Sequence, residues 1–177
     1  MWRALVRPGA SPEKDSMTYP GKSRWLWLSL AVIAVDQLSK WFVAAHMQVF
    51  DTIYVLPVFN VALWHNTGAA FSMLAGASGW QRWFFLVLAV IIVAFIVIWL
   101  VRMPAAGGDW IAAGLALVAG GALGNVWDRL VHGYVIDFLQ FHYQGWYFPA
   151  FNAADSAITL GAALLVFDGV FLQRRVK

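Results

Sequence analysis

Four long apolar segments dominate the chain and predict four membrane-spanning helices. A bilayer core about 30 Å thick needs roughly 20 apolar residues in helical conformation. Residues 83–101 and 110–127 contain no charged side chain, whereas residues 25–45 and 153–172 each carry ionisable ones. A charge inside a membrane is energetically expensive, so the function is expected to reside with these exceptions.

The two longer connections have different patterns. Residues 49–64 are rich in β-branched and aromatic side chains with a break at Pro57, which predicts a short strand pair on the membrane surface. Residues 129–152 mix charged and aromatic side chains and predict an amphipathic outer loop. The predicted fold class is an all-α membrane protein. Its parts are an N-terminal tail (1–24), one four-helix domain (25–172) and a C-terminal tail (173–177).

Composition agrees with a membrane location. The 177 residues are 62% hydrophobic and only 12% charged, about half the charged fraction of an average soluble domain. A soluble nucleic-acid binder is therefore excluded, and no nucleic-acid partner is expected. Cysteine is absent, which excludes disulfides and thiol catalysis.

The distribution of positive charges predicts the orientation. With four spans, both termini share one side of the membrane, and nine of the twelve Lys and Arg residues fall on that side. The positive-inside rule then places both termini in the cytoplasm. A cleaved signal peptide ending near Ala45 is the alternative for the first segment. That segment is long and contains Asp36 and Lys40, which disfavours cleavage.

Polar residues in and beside the spans converge on the outer side. They are Asp36 and Lys40 in the first span, Asn125, Asp128 and Arg129 at the end of the third, and Asn152 and Asp155 at the start of the fourth. Each group also has a structural explanation. Asp36 and Lys40 could form a helix-face ion pair, and Asn152 with Asp155 could cap the fourth helix.

Asp137 lacks such an explanation, because it is a lone carboxylate inside an apolar run. A buried carboxylate must pair or stay protonated. If the fourth helix brings Asp155 alongside, the two could share a proton, with one activating water while the other donates to a carbonyl oxygen. This is aspartic protease chemistry, which needs no metal or other cofactor.

Other functions fit the same residues less well. The four histidines lack the spacing of a zinc protease site, and residues 76–79, similar to the nucleophile motif of rhomboid serine proteases, are better explained as a turn. A small transporter or proton relay also uses membrane carboxylates, but it should distribute polar groups through the membrane depth. A purely structural helical bundle would leave Asp137 unexplained.

Five sequence blocks resemble the bacterial lipoprotein signal peptidases, also called type II signal peptidases. The blocks are DQLSK at 36–40, NTGAAFS at 66–72, GGALGNVWDR at 120–129, GYVIDF at 133–138 and FPAFNAADS at 148–156. The resemblance covers about residues 25–172. It implies a four-helix enzyme of the bacterial inner membrane that removes signal peptides from prolipoproteins, cutting just before a diacylglyceryl-modified cysteine.

The resemblance also implies roles for particular residues. Asp137 and Asp155 match the family's catalytic aspartates, with the site near the periplasmic face. Matches to substrate-binding or supporting positions are Asp36, Lys40, Asn66, Gly68, Asn125, Asp128, Arg129 and Asn152. The segment after the first helix corresponds to a periplasmic β-cradle over the substrate. Membrane lipids and the antibiotic inhibitor globomycin are expected ligands.

Overall fold

A computed structural model describes residues 21–68 and 79–172. Four helices among these residues are long and apolar enough to cross a membrane. They are α1 (Leu26–His46), α2 (Trp80–Arg102), α3 (Asp109–Val131) and α4 (Ala153–Phe167). A 3-10 turn, Lys22–Trp25, precedes α1, and a π-helical turn, Asp168–Leu172, follows α4. The four predicted spans are confirmed, although α3 continues four residues beyond its predicted end at Trp127.

Helix α3 lies at the centre of the bundle. In its most apolar stretch 61% of residues are buried, against 17–22% in the other three spans. Its small residues permit this close packing. A Cβ atom at Gly124, for example, would lie only 2.5 Å from the Asp36 carboxylate of α1. Glycine at this position therefore lets a polar group of α1 approach the α3 backbone.

The connections outside the helices form a four-stranded antiparallel sheet. Its strands lie in chain order and are β1 (Thr52–Leu56), β2 (Phe59–Asn66), β3 (Val135–Tyr143) and β4 (Trp146–Tyr147). The predicted strand pair with its break at Pro57 is confirmed by β1 and β2. The prediction of a loop over residues 129–152 is wrong, because β3 pairs with β2 there. The aromatic residues that suggested an interfacial loop also favour strand formation.

One face of the sheet packs against the C-terminal end of α1. Ile136 and Phe138 of β3 join Leu63 of β2 and Val43 of α1 in a buried apolar cluster. Successive side chains of a strand point to opposite faces. Asp137, between Ile136 and Phe138, therefore points away from this cluster.

Some predictions fall wholly or partly outside the described residues. These include most of the predicted tail (1–24), the tail 173–177, the turn predicted at residues 76–79 apart from Gly79, and the end of the block at 66–72. At the edge of the described region, the Lys22 ammonium lies 2.6 Å from the Asp109 carboxylate. This ion pair attaches the turn before α1 to the start of α3.

Candidate active site

Asp137 and Asp155 are brought together by Asn152. The Asn152 side-chain oxygen accepts a hydrogen bond from the Asp155 backbone N–H at 2.9 Å, and the Asp155 carboxylate accepts one from the Asn152 backbone N–H at 3.3 Å. This is the capping box predicted for the start of α4. The Asn152 amide nitrogen also donates to the Asp137 carboxylate at 2.8 Å. One buried side chain therefore positions both aspartates.

Asn125 donates a hydrogen bond to the second carboxylate oxygen of Asp155, the one that Asn152 does not contact. Its side-chain nitrogen donates to the Asp155 carboxylate at 2.8 Å. Its oxygen accepts from the Lys40 ammonium at 3.0 Å and from Asn152 at 3.2 Å. Because both acceptor contacts engage the oxygen, the amide orientation is set and the nitrogen must face Asp155.

Lys40 lies between two further carboxylates. Its ammonium is 2.7 Å from Asp36 and 2.9 Å from Asp128, and all three side chains are buried. Asp36 also accepts from the backbone N–H of Ala154, and Asp128 accepts from that of Ile136. These bonds tie the ionic cluster to the residues that precede Asp155 and Asp137. The predicted Asp36–Lys40 ion pair is present, and Asp128 joins it.

Asn66 and Arg129 lie at the open side of the site. Asn66 donates to the Asp137 carboxylate at 2.9 Å, and its own oxygen accepts from the Gly68 backbone N–H. The Arg129 guanidinium donates to the carbonyl oxygens of Gly68 and Asn125, at 2.9 and 3.3 Å, and lies over the Phe85 ring. Arg129 thus fixes the backbone at Gly68 rather than pairing with an aspartate through a direct hydrogen bond.

Burial is the main influence on the protonation of Asp137, which is only 3% exposed. Burial raises the pKa of Asp137 to about 7, and the negative charge of Asp155 adds to the rise. The hydrogen bonds from Asn66 and Asn152 oppose it. Asp137 can therefore carry a proton near neutral pH.

Each aspartate of the pair lines a different cavity. The larger, about 820 Å³, reaches Asp155 and is lined mainly by apolar side chains of α4 and by aromatic residues from the sheet region. The smaller, about 210 Å³, reaches Asp137 and is lined by residues of β2, β3, β4 and the segment 148–150.

The structure brings all ten predicted site residues into one connected network, with Gly68 at its edge. Sequence reasoning missed one member, Gln37. Its amide nitrogen lies 3.1 Å from Asp36, 2.9 Å from Asp128 and 3.2 Å from the Gly124 carbonyl oxygen. Gln37 lies between Asp36 and Lys40 in the sequence. A single uncharged polar residue near the end of a membrane span is common, however, so its sequence position alone does not mark it as a member of the site.

Four membrane-length helices with a buried aspartate pair are the features expected of a membrane-embedded aspartic peptidase. The model of the family described as signal peptidase (SPase) II matches residues 28–171. The chain therefore belongs to the signal peptidase II family. It is a multi-pass membrane protein.

Individual relatives agree with this assignment. The lipoprotein signal peptidase of Pseudomonas aeruginosa (strain UCBPP-PA14) is 51% identical over 89% of this chain and 92% of its own length. That of Acinetobacter baumannii (strain SDF) is 49% identical over 89% of each chain. A bacterial membrane enzyme structure obtained by the in meso method superposes with a TM-score of 0.72 and 31% identity, covering 83% of this chain and 90% of the other.

Proposed function

We propose that this protein removes signal peptides from prolipoproteins by hydrolysis immediately before the diacylglyceryl-modified cysteine, with Asp137 and Asp155 as its catalytic residues. The names of the relatives support the substrate class. The observation that carries the residue assignment is the single buried Asn152 that holds both carboxylates from different elements. No other pair of carboxylates among the described residues combines burial, a shared support and access from two cavities.

The first half of the reaction uses the two aspartates in different protonation states. Asp137, with a pKa of about 7, donates its proton to the oxygen of the scissile carbonyl. Ionised Asp155 removes a proton from a water molecule, whose oxygen forms the new bond to the carbonyl carbon. The product is a tetrahedral gem-diol, and the aspartates have exchanged protonation states.

The second half reverses these roles. Asp155, now protonated, donates to the leaving amide nitrogen as the carbon–nitrogen bond breaks. Asp137, now ionised, takes a proton from one gem-diol hydroxyl, which restores a carbonyl in the new carboxyl group. Both aspartates return to their starting states, so no covalent intermediate is required.

The remaining site residues support this chemistry. Asn66, Asn125 and Asn152 keep the two carboxylates in position. The cluster of Asp36, Lys40 and Asp128 joins α1 to α3. Its carboxylates also accept hydrogen bonds from the backbone N–H groups of Ile136 and Ala154, the residues that directly precede the two aspartates. Arg129 and Gly68 then form the boundary of the substrate site.

The larger cavity is the proposed route by which the lipidated substrate reaches the aspartates. Its apolar lining along α4 includes Ile158, Leu160 and Ala163 and ends at Asp155. A diacylglyceryl group can therefore stay in a lipid-like environment while the peptide bond reaches the aspartates. We expect membrane lipids to occupy the same surface when no substrate is bound, and globomycin to bind at the aspartate pair.

The proposed location is the bacterial inner membrane, with both termini in the cytoplasm and the aspartate pair near the periplasmic face. The positive-inside distribution supports this orientation, because Lys22, Arg24 and Arg102 lie at the helix ends away from the site. Residues 25–172 would form one catalytic domain, with residues 1–24 and 173–177 as cytoplasmic tails.

Cleavage by purified enzyme tests the function directly. We expect a diacylglyceryl-modified prolipoprotein to be cut and its unmodified form to remain intact. The variants D137N and D155N should each lose at least about 10³-fold in kcat/KM, because neither can complete the proton exchange. Mass spectrometry of the product would define the bond that is broken.

D51N is the matched control. Asp51 is an exposed acid before β1, and among the described residues its carboxylate accepts only a local bond from the Gln48 backbone N–H. It should retain full activity. Normal cleavage by D137N or D155N would contradict the residue assignment, and cleavage of the unmodified form at an equal rate would contradict the lipid requirement.

A further inference from the structure

Two buried carboxamides of the sheet take no part in the hydrogen-bond network of the aspartate pair. Asn60 of β2 and Gln140 of β3 are directly opposite in the antiparallel ladder, so their side chains share one face of the sheet. Asn60 is fully buried, and Gln140 is 8% exposed. Gln140 lines the smaller cavity together with Asp137.

The Asn60 carboxamide is unsatisfied among the described residues, since neither its nitrogen nor its oxygen has a hydrogen-bond partner there. Buried polar groups in native proteins are nearly always paired, so this exception requires an explanation. The Gln140 carboxamide is not among the buried unpaired groups, and it lines the smaller cavity, where a ligand can reach it. A carboxamide offers one donor group and one acceptor, which is the complement of a peptide group.

The position of this cavity indicates which part of a substrate it would hold. Its lining comes from the strands and residues 148–150, and it contains no residue of a membrane-spanning helix. The larger cavity, in contrast, follows α4. The acyl chains and the apolar signal peptide belong in the membrane. The chain that follows the modified cysteine is the part that must leave it.

We propose that Gln140, backed by Asn60, binds the main chain of the first residues after the diacylglyceryl-modified cysteine. This inference rests on the proposed function and adds a subsite on the product side of the cleaved bond. Gln140 would hydrogen-bond to substrate peptide groups. Asn60 is a positioning residue that holds Gln140 toward the cavity when the substrate is bound.

Two lipidated peptides with the same signal sequence test the subsite. One ends at the cysteine as its amide, and the other continues with a short mature segment. We expect wild-type enzyme to cut the longer peptide with about tenfold higher kcat/KM, the value of one or two hydrogen bonds. Q140M should lose this preference, and an unfolding temperature equal to that of the wild type shows that the variant is folded.

Q48M is the matched control, because Gln48 is exposed in the turn after α1 and lies outside both cavities. It should keep the full preference for the longer peptide. A preference that survives in Q140M, or a wild-type enzyme that cuts both peptides equally, would overturn the subsite and leave the proposed function intact. If the wild-type enzyme cuts neither peptide, both the subsite and the proposed function are overturned.

A second measurement avoids any change to Gln140. A photoreactive residue in the mature segment of the longer peptide, bound to D137N, should crosslink to the strands at Trp64 or Tyr147. The same group placed in the signal sequence should not. Crosslinking of the mature segment to α4 residues 158–163 instead would place it in the larger cavity and overturn the proposal.

Discussion

Two pairs of buried carboxylates lie close together in this molecule and differ in the groups that hydrogen-bond to them. Asp36 and Asp128 share the ammonium of Lys40, at 2.7 and 2.9 Å. Asp137 and Asp155 form no ion pair with any described residue and accept hydrogen bonds from amide groups instead. Aspartate is thus placed in two different electrostatic environments, which are linked through the side chain of Asn125.

This difference separates support from chemistry. A full positive charge between two carboxylates attracts both of them and fixes their geometry. Amide donors also fix geometry, but they leave the protonation state free to change, because an amide carries no net charge. Like-charge repulsion then favours one shared proton between Asp137 and Asp155. The orientation of the second pair is therefore rigid while its proton remains mobile.

Removing the charge from the first pair should have the largest effect on stability. K40M leaves two buried carboxylates without their cation, and we expect a loss of about 3–5 kcal/mol, measured as a lower unfolding temperature in detergent. K22M is the matched control. The partner of Lys22, Asp109, is 54% exposed, so water can replace the ammonium and the loss should be about 1 kcal/mol or less. Equal losses in both variants would contradict the comparison.

The mobile proton of the second pair should appear in the pH profile. Asp137 must be protonated to donate to the substrate, and its pKa is raised to about 7. The activity is therefore present below pH 7 and should fall about tenfold per pH unit above it, measured as kcat/KM on the lipidated peptide. The hydrogen bond from Asn66 lowers this pKa, so N66L should move the midpoint to higher pH. A flat profile from pH 6 to 9 would show that Asp137 is not the proton donor.

A smaller change sharpens the distinction between the pairs. In the described part of the chain, the Gln37 side chain hydrogen-bonds only to the first pair and to the backbone of α3. Q37L should therefore lower stability by about 1–2 kcal/mol while leaving the pH midpoint unchanged. S39A, which removes a local bond to the Asp36 carbonyl, should change stability by less than about 0.5 kcal/mol. A shifted pH midpoint in Q37L would show that the ionic cluster tunes the proton of Asp137.

The sequence by itself determined the features that depend on neighbouring residues. Apolar segment length predicted the four spans, spacing of four residues predicted the Asp36–Lys40 pair, and the cap at Asn152 was visible from Asp155 three positions later. These patterns follow from helix geometry, which repeats within one or two turns. The isolation of Asp137 in an apolar run was likewise sufficient to single it out.

Only the tertiary structure decided which distant groups meet. The addition of Asp128 to the Lys40 cluster depends on the rotation of α3 against α1, and the pairing of Asn60 with Gln140 depends on strand register across a bulge. A shift of one residue in register would turn Gln140 to the other face of the sheet. No local pattern encodes such rotations and registers, because they are set by the packing of the whole bundle around α3.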